Sequence, residues 1–403
     1  MSAYSDLLKT PGVGRIIAAQ LTARFPSGML SLALLTHIAR VHGSYGAAGL
    51  VLAAASVGQA IAGPLTSRLM GRVGMRPVLI VTTAVCAAAI VTIALQIMPI
   101  PATMAVAFVG GLANPPVQPA VRTIYPKLVN SRLLTPLFSL DASAQEIIWI
   151  AGPVVITFIA TQVSTTLGLL ICAGVMVGGG AWFVLSPELG RVRIPRSKRR
   201  FGAVLRRPTV LLVTIVGFLL VGSCAAIEAG VIANFNHGGG AEAGIVLAIW
   251  SLGSLIGGFA LGSLRIGPWA LAIRMTVVFV GIGLASLWIT NVWWLAALLV
   301  ISGAGIAPAL AVMFSLVSAS VKFSDTAEAY GWVGTGQLIG AALGSAIAGF
   351  LIDQHGAIGA FWVAGALALL GALVPLFGKR WHPDLRGRDA GPIPDTEPVQ
   401  LPS

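Results

Sequence analysis

Long apolar runs separated by short polar connections fill this chain from one end to the other. Each run has roughly the twenty residues that an α-helix needs to cross a hydrocarbon core of about 30 Å. The predicted spans are Arg15–Ala39, Ala47–Leu69, Val78–Met98, Ala102–Thr123, Leu137–Ala160, Thr165–Ser186, Thr209–Ala233, Ala243–Leu264, Trp269–Thr290, Trp293–Ser318, Glu328–Ile352 and Ile358–Phe377. The pattern predicts an all-α membrane protein with twelve transmembrane helices.

One connection differs from the others and divides the chain in the middle. It lies between the sixth and seventh spans, covers residues 187–208 and is rich in Arg and Lys. We therefore predict a six-helix bundle over residues 1–186, a basic linker, and a second six-helix bundle over residues 209–378. Residues 379–403, rich in Pro, Gly and acidic residues with little apolar content, are expected to form a disordered tail.

Composition agrees with a membrane protein and changes how the charge is interpreted. The chain is 57% hydrophobic and only 9% charged, which is too few charges to cover a soluble protein. The net charge of +12 would suggest a nucleic-acid partner in a soluble protein, but here the basic residues lie in short connections. No nucleic-acid partner is expected. The first apolar run is too long for a cleavable signal peptide and lacks a small-residue cleavage site.

The basic residues also predict an orientation. They fall on one side of the predicted spans, and the excess of Lys and Arg marks that side as cytoplasmic. The residues are Lys9, Arg68, Arg72, Arg76, Lys127, Arg132, the cluster from Arg191 to Arg207, Arg265, Lys322, Lys379 and Arg380. Both termini are therefore expected in the cytoplasm, and the protein is expected to be a multi-pass protein of the cell membrane.

The two halves repeat a pattern of small residues. Three residues at the end of the second span recur 195 positions later at the end of the eighth span: Gly58, Gly63 and Ser67 against Gly253, Gly258 and Gly262. A weaker repeat relates Gln145 and Gly152 to Gln337 and Gly344. Such repetition is typical of transporters built from two pseudo-symmetric bundles, with the substrate site between them near mid-membrane.

The segment from Gly63 to Pro77, GPLTSRLMGRVGMRP, resembles the signature that follows the second span in the major facilitator superfamily. Arg72, Gly74 and Arg76 match it, whereas Gly71 stands where the family usually has an Asp that latches the cytoplasmic gate. The resemblance covers nearly the whole chain, and Arg24-x-Pro26 with Asn114-Pro115-Pro116 is similar to actinobacterial members. It implies a secondary transporter that works by alternating access, with both halves enclosing a central site.

Two further features bear on the type of transporter. Ala151-Gly152-Pro153 in span five resembles part of the Gly-Pro motif of drug/proton antiporters, which favours efflux. The Arg that many proton antiporters carry inside span four is absent, because Arg122 is predicted near the cytoplasmic end of that span. This second feature weakens the efflux interpretation.

Three ionisable residues lie deep in predicted spans, where each costs about 2.5–3.5 kcal/mol on insertion scales. They are Arg24 in span one, Glu146 in span five and Glu228 in span seven. One interpretation is that Arg24 pairs alternately with either glutamate as protons or substrate arrive. The other is a permanent buried pair that only holds helices together.

Further polar and aromatic residues are candidates for the cavity and the gate. The cavity candidates are Gln20, Asn114, Gln118, Gln145, Trp149, Asn234, Trp250, Trp332 and Gln337. For span four the alternative is a simple proline kink, and for the tryptophans it is ordinary packing. The cytoplasmic gate candidates are Arg68, Arg72, Gly74, Arg76, Asp141, Arg265, Asp325 and Glu328, where the acids also suit helix starts.

No nucleotide-binding loop, catalytic triad or metal-ligand spacing is recognisable, and Cys86, Cys172 and Cys224 lie far apart inside spans. We therefore expect no catalytic residues, no metal and no cofactor, with the proton gradient as energy source. The expected partners are a small-molecule substrate and the bilayer, and the protein is expected to be a monomer.

The sequence is compatible with three functions. The first is a proton-coupled exporter of a small, partly apolar compound. The second is a proton symporter or facilitator for a polar nutrient such as a sugar, an organic acid or a nucleoside, in which Arg24 would hold an anionic group. The third is a non-transporting membrane protein that uses the same fold.

Overall fold

The computed structural model describes residues 2–197, 199–235, 241–261, 264–386 and 390–395. Its helices are α1 Ser2–Lys9, α2 Val13–Arg24, α3 Leu30–His42, α4 Tyr45–Val73, α5 Met75–Leu95, α6 Ile100–Leu112, α7 Val117–Leu128, α8 Ser131–Gln162, α9 Thr165–Leu185, α10 Pro187–Arg191, α11 Pro208–Asn234, α12 Ala241–Leu261, α13 Ala270–Ala285, α14 Val292–Ser320, α15 Thr326–His355 and α16 Ala357–Phe377. The all-α prediction is confirmed.

Eleven helical segments in this described part are each long and apolar enough to cross a membrane. The first predicted span is the twelfth, and it is divided into α2 and α3 by a 3-10 turn at Phe25–Gly28. Pro26 has no backbone N–H to donate to the preceding turn, which accounts for the break. Span four is also interrupted, between α6 and α7, at the predicted Asn114-Pro115-Pro116.

The repeated glycines occupy equivalent packing positions in the two halves. Gly152 of α8 lies so close to Gly28 that a Cβ would overlap the Gly28 backbone, and Gly344 of α15 is related in the same way to Gly222 of α11. Small residues at these crossings allow the helix backbones to approach closely. The weaker sequence repeat therefore corresponds to equivalent close contacts in the two halves.

One pair of the stronger repeat, Gly63 and Gly258, lies where the two halves meet. A Cβ at Gly63 of α4 would contact Thr335 and Gly331 of α15, and a Cβ at Gly258 of α12 would overlap Ser143 of α8. Each glycine thus allows a helix of one half to pack on the other half. Gly262, the third member of this repeat, lies outside the described residues.

The halves are packed together at one end and separate towards the other. We call the end that carries the linker and both chain termini the linker side. One core cluster contains residues of both halves, among them Phe138 and Phe314, whose rings lie 6.2 Å apart. A second cluster contains only residues of the first half, such as Met29 and Leu169.

Part of the tail is ordered, contrary to the sequence-based expectation. Leu385 donates a backbone hydrogen bond to Ile266 (3.0 Å), Ile393 donates one to Val321 (3.0 Å), and Ser324 Oγ donates to Asp395 (2.6 Å). These bonds hold residues 379–386 and 390–395 against the linker-side ends of the second bundle. Composition alone predicted disorder because it does not register such long-range hydrogen bonds.

Candidate functional site

A buried carboxylate, Asp141 of α8, is the centre of the charge network in the first half. Its side chain accepts hydrogen bonds from Arg122 Nε (3.1 Å), Gln20 Nε2 (3.0 Å) and Tyr125 OH (3.2 Å), and it lies 3.5 Å from Arg24 Nη1. Asp141 has no exposed surface. Charge-assisted hydrogen bonds of this kind are stronger than neutral ones, so Asp141 joins α2, α7 and α8 firmly.

Arg24 therefore has a different partner from the one expected. Besides Asp141, its guanidinium donates to Gln20 Oε1 (2.8 Å) and to Gln145 Oε1. Gln145 follows Asp141 by four residues and shares its helix face, whereas Glu146 is rotated away by a further 100°. The expected pairing of Arg24 with Glu146 or Glu228 is thus not found in this conformation.

Arg122 is the second cation of the network, and it also reaches the other half. It is buried, although the sequence placed it near a helix end. With its amide oxygen turned towards Arg122, Gln118 accepts from both terminal guanidinium nitrogens (2.5 and 2.6 Å). The guanidinium carbon lies 3.3 Å from the centre of the Phe314 ring of α14, a cation–π geometry across the two halves.

Two other carboxylates, Glu146 and Glu228, line the space between the halves. Glu146 Oε1 accepts from Ser254 Oγ of α12 (2.8 Å), and Glu228 of α11 lies within electrostatic reach of Glu146. Glu228 is exposed and has no hydrogen bond or ion pair among the described residues. No Arg, Lys or His forms an ion pair with either carboxylate in the described part of the chain.

The remaining cavity candidates have varied surroundings. Trp250 Nε1 and Gln337 Nε2 are buried donors without a partner in the described part of the protein. Trp332 packs on Phe201 of the linker, with ring centres 5.6 Å apart, and Asn234 donates to the Ile289 carbonyl (2.7 Å). The Nε1 of Trp332 is likewise buried without a partner in the described residues, whereas Asn234 is held by its hydrogen bond.

Trp149 and Asn114, the other two cavity candidates, lie in the first half. Trp149 is half exposed, and Asn114 is partly buried beside the break between α6 and α7. No group of three or more His, Cys, Asp or Glu side chains with the geometry of a metal site occurs within the described ranges.

The linker side is closed by an ion pair between the halves. Arg68 of α4 donates to Glu328 of α15 (2.8 Å), and the second Glu328 oxygen accepts from the backbone of Gly202 in the linker (2.7 Å). Arg68 also donates to the carbonyl of Arg199 and lies over the Phe201 ring at 5.7 Å. The linker thus lies across both halves and takes part in the closure.

The other gate candidates contribute less to this closure. Asp325 accepts from Ser197 Oγ (2.6 Å) and lies 3.5 Å from Arg199 Nε, which fixes the linker to the second half. Arg72, Arg76 and Arg265 form no ion pair among the described residues. Gly74 has φ +103°, a backbone conformation that favours glycine between α4 and α5. Asp141 belongs to the buried network described above.

Neutralising Glu328 is expected to open the linker side. Hydrogen bonds to charged groups are each worth about 1.5–3 kcal/mol, so Glu328→Gln should raise the open population roughly tenfold. Spin labels on exposed Arg72→Cys and Arg265→Cys, in a background without the native cysteines, measure by electron resonance the separation between the end of α4 and the segment that follows α12. Glu242→Gln, at the opposite end of α12, is the matched control. Identical distance distributions for all variants would show that this pair does not hold the closed state.

The sequence profile of the Major Facilitator Superfamily matches residues 16–235 and 224–398. A search of curated protein sequences gave no match.

Three solved structures share the fold. A bacterial homologue of the iron transporter ferroportin, in an outward-facing state, is 13% identical with a TM-score of 0.74, over 91% of this chain and 99% of that chain. The human organic anion transporter MFSD10 (TETRAN) is 17% identical with a TM-score of 0.70, over 90% and 98%. The proton:xylose symporter XylE, bound to 6-bromo-6-deoxy-D-glucose, is 13% identical with a TM-score of 0.72, over 94% and 98%.

The family match spans nearly all of the chain and agrees with the twelve apolar segments and the paired halves. This multi-pass membrane protein belongs to the major facilitator superfamily and is a transporter of that fold.

Proposed function

We propose that this protein is a proton-coupled secondary transporter that exports a small, partly apolar compound across the cell membrane by alternating access. The proposal rests on one observation, the pair of carboxylates Glu146 and Glu228. They belong to different halves, their charges interact, and neither has a basic partner among the described residues. Their charge therefore depends on whether protons or a substrate reach them.

The two carboxylates can couple protonation to the position of the halves. When both are charged, repulsion and the need for water favour a hydrated space between them. Protonation removes both effects, so the halves can close around the neutral groups. Because an excess of basic residues marks the cytoplasmic side, the linker side is the cytoplasmic side in this proposal, and the described conformation is closed towards the cytoplasm.

The Asp141 network has a different role in this proposal. Asp141 has four donors around it and is sealed in the protein, so it serves as a fixed anion that holds Arg24 and Arg122 in place. Arg122 contacts Phe314 of the other half, so this contact must change when the halves separate on the linker side. Proton exchange is assigned to Glu146 and Glu228 alone.

The apolar character of the substrate follows from the side chains near the two carboxylates. Trp149 is exposed one turn after Glu146, and Trp250 of α12 lies one turn before Ser254. Aromatic surface favours a compound with an apolar body. The Gly152-Pro153 pair supports export.

A second function is favoured by two unpaired donors. Gln337 Nε2 and Trp250 Nε1 are buried donors without acceptors in the described residues. The oxygen atoms of a polar solute such as a sugar would act as their acceptors. A proton symporter or facilitator for a polar nutrient is therefore the alternative.

Both functions can be tested on the wild-type protein in sealed vesicles that contain a pH-sensitive dye. Lipophilic amines and neutral aromatic compounds form one panel, and sugars, organic acids and nucleosides form the other. We expect compounds of the first panel to drive proton movement in the opposite direction, with loss of their accumulation when a protonophore is added. Proton movement in the same direction as a polar nutrient would establish the alternative. Accumulation that is unchanged by the protonophore would show that transport is not coupled to protons.

A further inference from the structure

A third buried arginine, Arg274, has no acidic partner among the described residues. It lies one turn inside α13, is only 8% exposed, and donates from Nη1 to the Ala270 carbonyl of its own helix (3.0 Å). Its Nε is buried without an acceptor, and it forms no ion pair in the described ranges. A buried guanidinium that lacks a counter-charge is costly, so an anion is expected beside it.

A second unpaired nitrogen lies close to this arginine. His382, which follows the last span, is 3% exposed, and its Nε2 has no partner among the described residues. Its Nδ1 lies 3.1 Å from the carbonyl of Pro383, which suits an Nδ1–H donor. Burial lowers the pKa of His382 below its ordinary value, and the charge of Arg274 lowers it further. Leu385 and Lys379, on either side of His382, contact Ile266 and Trp269 directly before α13, which places His382 near the helix that carries Arg274.

Residues 379–386 form a bracket that holds His382 at this position. The carbonyl of Trp381 accepts from Thr209 Oγ1 (2.7 Å) and Leu385 donates to Ile266 (3.0 Å). The acid within the bracket, Asp384, already receives hydrogen bonds from Arg386 at 2.7–3.1 Å. Asp384 is thus paired with Arg386, and its charge acts on His382 in the opposite sense to that of Arg274.

The position of Arg274 matches the depth of lipid headgroups. One helical turn places it about 6 Å below the start of α13. Trp269 lies at the start of α13, and Lys379 Nζ lies 4.4 Å from the centre of its ring. Tryptophan and lysine side chains are both common at the membrane interface. Arg380 adds a further positive charge at the same level. Cations at this depth attract anionic phosphate groups.

We propose that Arg274 and His382 form a binding site for one phosphate-type anion, either a phospholipid headgroup or free phosphate. Arg274 Nε supplies a charge-assisted hydrogen bond to its oxygens, and the negative charge of the bound anion favours the protonated form of His382, whose Nε2–H then donates a second one. The bound anion connects α13 to the bracket and compensates the buried guanidinium. This inference is independent of the proposed proton coupling, since the site lies at the linker-side surface of the second half.

The test is native mass spectrometry of the delipidated full-length protein. The probes are inorganic phosphate, dihexanoyl phosphatidylglycerol and dihexanoyl phosphatidylcholine. We expect one equivalent of an anionic probe to bind the wild type, and Arg274→Gln and His382→Leu to weaken this binding tenfold or more. Arg206→Gln removes an exposed charge on the same side and should bind like the wild type.

The probes also distinguish the source of the anion. Preference for phosphatidylglycerol over inorganic phosphate assigns the site to a lipid, and equal binding of both assigns it to free phosphate. Equal binding of phosphatidylcholine and phosphatidylglycerol, or unchanged binding in His382→Leu, would overturn the proposal. If Arg274→Gln does not fold, Arg274→Lys, which keeps the charge, and His382→Leu decide the outcome.

Discussion

Asp141→Asn is expected to destabilise the folded protein more than any other single substitution in the central charge network. Asp141 is the shared partner of Arg24 and Arg122, so its neutralisation leaves two buried guanidinium groups without a counter-charge. Breaking a buried ion pair in this way costs about 3–5 kcal/mol. Unfolding of the purified protein in detergent, by heat and by denaturant, measures the loss.

The comparison with Arg24→Gln makes this prediction specific. Arg24→Gln leaves one cation and one anion, Arg122 and Asp141, still paired at 3.1 Å. Its destabilisation should therefore be clearly smaller, and the variant should remain extractable in detergent. Asp353→Asn, an exposed acid on α15, should change stability by less than about 0.5 kcal/mol. Equal stability of Asp141→Asn and Arg24→Gln would show that Asp141 does not balance both arginines.

The role of Asp141 could not be predicted from the hydrophobic pattern. The predicted span began at Leu137, which put Asp141 at a helix start, but α8 begins at Ser131 and places it ten residues inside. The polar residues Ser131 and Arg132 lowered the local hydrophobicity and shifted the predicted boundary. A helix start that is wrong by six residues moves a side chain about 9 Å along the axis.

The burial of Arg122 was missed for a different reason. Its helix, α7, ends at Leu128, so Arg122 lies close to the linker side as expected. Phe314 of α14 covers it from the other half, a contact between residues far apart in the sequence. Local periodicity carries no information on such contacts.

The glycine repeat, by contrast, was informative about three-dimensional structure. Close crossings of helices require residues without a side chain, and the requirement recurs where two halves share one architecture. Gly152 and Gly344, 192 positions apart, indeed contact equivalent helices. The sequence therefore predicted the spans and the two halves. The partners of the buried charges depend on exact helix ends and on tertiary contacts, which the sequence pattern does not specify.

Glu228→Gln is expected to abolish coupling of transport to the proton gradient. The amide has nearly the size of a protonated carboxyl group but cannot release a proton, so the variant remains in one charge state. A membrane potential supplies about 2.3 kcal/mol per charge per 100 mV, which allows one coupled proton to concentrate a neutral solute roughly fiftyfold. In the variant this accumulation should fall to about equilibrium.

Glu146→Gln should have the same effect, and exchange experiments distinguish lost coupling from lost folding. A variant that cannot titrate can still carry substrate, so counterflow of labelled against unlabelled substrate should persist without a gradient. Because Ser254 Oγ donates to Glu146 at 2.8 Å, Ser254→Ala should change the pH dependence of transport and retain coupling. Glu242→Gln, which neutralises an exposed acid on α12, serves as the matched control. If both single variants kept full dependence on the pH gradient, protons would have to be carried by groups other than this carboxylate pair.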